Sequence, residues 1–73
     1  EIQLSETNNL IVSIFDVTGR LVNTLVNNKI EAGLYSVEWN GKDQTGRLVS
    51  TGVYIVKVVS GQNKHNQKIA FVK

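Results

Sequence analysis

Seventy-three residues with no cysteine and one histidine make a single small domain, residues 1–73, that must hold together by packing alone. Neither a disulfide nor a cluster of metal ligands is present to staple it. No apolar run approaches the length of a membrane-spanning helix. The net charge of +2 is modest and is not interleaved with aromatic residues, which argues against nucleic-acid binding.

Along the chain the apolar residues repeat with a period of two, the pattern of a strand with one buried face. Leu10, Val12 and Ile14 alternate with Ile11, Ser13 and Phe15. Tyr35, Val37 and Trp39 alternate with Ser36 and Glu38, and Tyr54, Val56 and Val58 with Ile55 and Lys57. Turn signals separate the runs, among them Thr7-Asn8-Asn9, Asn27-Asn28, Asn40-Gly41 and Ser60-Gly61. This spacing predicts about seven short strands, near 1–4, 10–16, 20–26, 34–39, 47–49, 53–60 and 64–72. No stretch repeats at 3.6 residues. The fold class that follows is all-β, an antiparallel immunoglobulin-like β-sandwich. Its expected core is Leu4, Val12, Ile14, Val22, Leu25, Val37, Trp39, Tyr54, Val56, Val58, Ile69 and Phe71.

One motif occurs twice. Asp16-Val17-Thr18-Gly19-Arg20-Leu21-Val22 returns as Asp43-Gln44-Thr45-Gly46-Arg47-Leu48-Val49. Each copy reads as a tight turn that launches a strand. The Asp accepts hydrogen bonds from nearby backbone, and the Gly takes a positive φ. The flanks differ, with Phe15 before one copy and Lys42 before the other, so this is one turn design used twice and not a solenoid repeat.

Catalytic constellations are missing. The single histidine, His65, lies in the polar run Asn63–Gln67, away from any paired nucleophile. Glu38 and Asp43 are explained as an outward strand residue and a turn residue, not as a glycosidase pair. In the loop Asn40–Gly46, Lys42 takes an alternate position and no acid follows Asp43, so the spacing of a calcium loop is broken. The chain reads as a non-enzyme with no cofactor and no metal.

The order of motifs resembles a known family. Val12–Val22 is followed by Ala32-Gly33-Leu34-Tyr35-Ser36-Val37-Glu38-Trp39-Asn40-Gly41, then Asp43, Gly46, Gly52-Val53-Tyr54 and a terminal Lys68-Ile69-Ala70-Phe71-Val72-Lys73. This set resembles the type A C-terminal sorting domain of the type IX secretion system, and also the related immunoglobulin-like domain of the flagellar hook-capping protein. The resemblance spans residues 2–73. Its structural positions here are Asp16, Gly19, Gly33, Trp39, Gly46, Gly52 and Tyr54, with Tyr54 expected to send its hydroxyl to a carbonyl at the rim.

The resemblance implies a secretion signal and surface anchor at the end of a larger exported protein, with an N-terminal cargo domain in the same chain. The implied partners are the translocon and a surface peptidase, and the implied location is secreted or at the cell surface, by way of the periplasm and outer membrane. Charge fits a docking role. All six acids fall in residues 1–43, which carry a net −3, whereas residues 44–73 hold Arg47, Lys57, Lys64, Lys68 and Lys73 and no acid, a net +5. Residues Lys68, Ile69, Ala70, Phe71, Val72 and Lys73 are therefore the expected recognition strand, by strand addition. The plainer role for those lysines is to blunt a sheet edge. Two other functions fit the same sequence: a structural spacer that stacks against its neighbours, and a carbohydrate-binding module with Tyr35 and Trp39 as its platform.

Overall fold

β-branched residues are densest over residues 53–59, at Val53, Ile55, Val56, Val58 and Val59, a segment that forms a strand paired on both sides. In the computed structural model, which describes residues 2–73, β1 is Ile2–Leu4, β2 is Asn8–Asp16, β3 is Leu21–Ile30, β4 is Gly33–Tyr35, β5 is Gly52–Ser60 and β6 is Asn63–Phe71. Position 1 of the first expected strand lies outside the described residues. All pairings are antiparallel. β1 and β4 form a small sheet, and the larger sheet has the order β3-β2-β5-β6.

The two sheets close on each other through Leu4 of β1 and Leu10 and Val12 of β2. Ile14 is fully buried, and Tyr54 is 7% exposed. β2 is central, flanked by β3 and β5, which explains why its inward residues are the deepest. Removing a side chain of this kind from water stabilises the fold by about 1.5–3 kcal/mol.

Among the described residues six strands form, not seven. The segment 47–49 makes only an isolated bridge, Lys42 with Leu48, because the turn between them leaves a hairpin too short to extend. The segment expected at 34–39 is a strand only at Gly33–Tyr35. Its register runs from Leu4 opposite Gly33 to Ile2 opposite Tyr35. β3 runs straight through the Asn27-Asn28 turn signal, because Ile11 and Leu10 pair with those two residues and tertiary pairing outweighs local preference.

The core is also narrower than expected. Val22, Leu25, Val37, Trp39, Val56, Val58, Ile69 and Phe71 are half-buried, while Leu10, absent from the expected set, is 2% exposed. The inner faces of β5 and β6 thus remain partly open.

Candidate functional site

The repeated motif folds the same way twice. In the first copy Asp16 Oδ1 accepts from the Thr18 hydroxyl at 2.6 Å, the Thr18 N–H at 3.0 Å and the Arg20 N–H at 3.0 Å. In the second, Asp43 Oδ1 accepts from the Thr45 hydroxyl at 2.6 Å, the Thr45 N–H at 2.9 Å and the Arg47 N–H at 3.1 Å. Gly19 and Gly46 adopt φ of 89° and 87°, and each N–H donates back to the Asp carbonyl. The threonine hydroxyl, then the arginine N–H, holds each carboxyl below its usual value, since donors to the ionised oxygen favour the charged form. Every bond that the Asp16 and Asp43 carboxylates accept comes from their own turn, which makes them scaffolding.

The two turns are also joined. Gln44 N–H donates to Val22 O at 3.0 Å, and Asn23 Nδ2 donates to Lys42 O at 2.9 Å. The loop carrying the second copy therefore lies along β3. The same Lys42 carbonyl accepts from Trp39 Nε1 at 2.9 Å.

Trp39 anchors an aromatic cluster. Its ring meets Tyr54 edge-on at 5.1 Å and Phe71 at 5.4 Å, separations at which aromatic pairs attract. Tyr54 sends its hydroxyl to Ser50 O at 2.7 Å. Gly41, buried and at φ +78°, lies directly under the Phe71 ring. Trp39 is thus engaged by Tyr54 and Phe71 and not by Tyr35, whose hydroxyl donates to Glu31 O in the connection between β3 and β4. Gly33 packs on that Tyr35 ring, and Gly52 opens β5 opposite Phe71. The importance of Gly41 was not legible beyond the Asn40-Gly41 turn signal, because its contact comes from Phe71, thirty positions away.

The expected recognition strand, residues 68–73, is the end of β6 and the two residues after it. Lys68, Ala70, Val72 and Lys73 are exposed, and Ile69 and Phe71 face inward, half-buried. Lys73 N–H donates to the Thr51 hydroxyl at 3.0 Å, which ties down the end of the segment. Among the described residues β6 pairs only with β5, so its other side is a free edge. Beneath that edge a cleft of about 590 Å³ separates the sheets. Leu4 lies on one wall, Val56, Val58 and Ile69 on the other, and Trp39 and Phe71 are at one end.

Among the described residues no three His, Asp or Glu side chains come together. The geometry offers a shaped edge and a cleft lined by both apolar and polar side chains, and the fold carries a known signature. The profile of the FlgD Ig-like domain matches residues 2–64. The chain belongs to the FlgD Ig-like domain family. That family is one of non-catalytic structural domains. The match covers all of β1 to β5 and the start of β6. Residues 68–73 lie beyond it. No curated protein and no solved structure matches the chain at a significant level.

Proposed function

We propose that this FlgD Ig-like domain is an accessory module that attaches or addresses a larger protein, and that it makes its contact through β6. The observation that carries the reading is the free, lysine-bearing edge of that strand beside a cleft with an apolar floor and a polar rim. Family membership supports the structural and assembly role. The finer reading is a C-terminal sorting and anchoring domain for type IX secretion, acting with a translocon and a surface peptidase at the outer membrane. Its support is the ordered motif set from Asp16 to Tyr54 together with the basic end Lys68–Lys73.

Lys68→Glu with Lys73→Glu in the full-length protein tests this. Both side chains are exposed, so the fold is retained, as circular dichroism will show. Export of the full-length protein is expected to fall at least tenfold if the strand is a sorting signal. Export unchanged, with loss of the protein from its surface assembly, selects the spacer reading instead. No change in either contradicts a docking role for this strand.

A further inference from the structure

The larger sheet has two edges, and they differ. β3 is irregular: its pairing with β2 shifts register between Val12 and Ser13 and between Ile14 and Phe15. The 42–44 loop also occupies part of it, through bonds to Val22 and Asn23. β6 keeps one unbroken register with β5, from Ser60 opposite Asn63 to Gly52 opposite Phe71. A two-residue turn, with Gly61 at φ 58°, closes that hairpin on the Ser60–Asn63 pair. Alternate pairs then exchange backbone bonds, and Lys64, Asn66, Lys68 and Ala70 turn their N–H and C=O groups away from β5.

Lys64 and Ala70 also line the inter-sheet cleft, so the cleft opens at this same edge. A strand laid beside β6 continues the sheet, and every second side chain on it points into the cleft. Those positions lie beside Ile69 and the exposed His65 and Gln67 of β6, with Val56 and Val58 one strand further in, so side chains long enough to pass the edge meet an apolar floor. The alternate positions lie on the outer face, where the neighbouring side chains are Lys64 and Lys68, with Lys57 one strand further in. β5 and β6 carry no acid; Glu6 borders the cleft from the β1 side.

We propose that β6 accepts an added strand from a partner protein, an extended segment that alternates apolar and acidic residues. Its backbone pairs with Lys64, Asn66, Lys68 and Ala70, its apolar side chains enter the cleft and its carboxylates meet the lysines. This rests on the docking reading above and specifies what docks. A second copy of β6 brings no carboxylate to this edge. Two-fold pairing centred on Asn66 sets Lys64 of each copy opposite Lys68 of the other, and like charges directly opposed destabilise a sheet.

The test is a titration of the isotopically labelled domain with a capped seven-residue peptide of alternating valine and glutamate, followed by amide chemical shifts. Shifts should concentrate on Lys64, Asn66, Lys68 and Ala70 and on the Trp39 indole. Asn66→Pro removes one outward donor without breaking a bond to β5, and should weaken binding at least tenfold while the remaining spectrum is unchanged. Lys64→Glu with Lys68→Glu should abolish binding of this peptide and admit one of alternating valine and lysine. Equal binding of both peptides to the native domain, shifts confined to β3, or no shifts at all would overturn strand addition and leave the lysines as edge protection. An export defect in the Lys68→Glu, Lys73→Glu protein without peptide binding would keep the docking reading and remove this one.

Discussion

Ile14→Ala should lower the unfolding free energy by about 2–5 kcal/mol, the usual cost of truncating a well-packed isoleucine. Ile14 is fully buried. It lies on β2, opposite Asn23 on one side and Val56 on the other, and borders the inter-sheet cleft, so the paired strands hold the vacated space open. A domain of this length has a total stability of only roughly 4–11 kcal/mol, and a single such cavity therefore removes a large share of it. Urea unfolding is the measurement. The midpoint should fall with the slope unchanged, because the surface exposed on unfolding is nearly the same. A loss under about 1 kcal/mol would mean that the core does not centre on β2.

Gly41→Ala should cost a comparable amount, about 2–5 kcal/mol, from two sources that can be separated. The positive φ of 78° penalises any Cβ by about 1–2 kcal/mol. The added methyl would also sit 2.1 Å from Phe71 Cζ, which forces the ring off Trp39 and adds an overpacking cost of about 1–3 kcal/mol. Gly46→Ala supplies the comparison. Its φ is 87° and nothing lies within 4 Å of the new methyl, so only the backbone cost of about 1–2 kcal/mol remains. In a Phe71→Ala background the two glycine substitutions should then cost about the same, since contacting sites are coupled and distant ones add. Equal costs in the native background would mean that Phe71 does not rest on Gly41.

The strands whose pattern was clear were those paired on both sides or held in long hairpins. β2 and β5 follow the alternation of Leu10 to Ile14 and Tyr54 to Val58, since each lies inside the larger sheet and buries one face. The twin turns were legible for a different reason: an Asp, a Thr and a Gly at fixed spacing satisfy one another locally, whatever surrounds them. Tyr54 and its carbonyl partner four residues back belong to the same local logic. What did not show was set by distant chain. Asn27 and Asn28 carry a turn signal yet lie in a ladder, because β2 supplies their partners. Trp39 continues the alternation from Tyr35 without continuing the strand, because its ring is held by Tyr54 and Phe71 and its Nε1 by the Lys42 carbonyl. Leu10 begins the alternation of β2 yet is as deep as Val12, because Leu4 of the small sheet closes over it. The cleft beside β6 was invisible for the same reason. Ile69 and Phe71 alternate as a core strand would, and only the placement of β1 and β4 reveals that the space inside them is not filled.

Amide hydrogen exchange along β6 tests the account most directly, because the docking role depends on one side of that strand being free. In the isolated domain the N–H groups of His65, Gln67 and Ile69, which bond β5, should exchange slowly, while those of Lys64, Asn66, Lys68 and Ala70 should exchange at nearly the rate of an open chain. Uniform protection along all seven residues would show the edge already covered and would contradict the account.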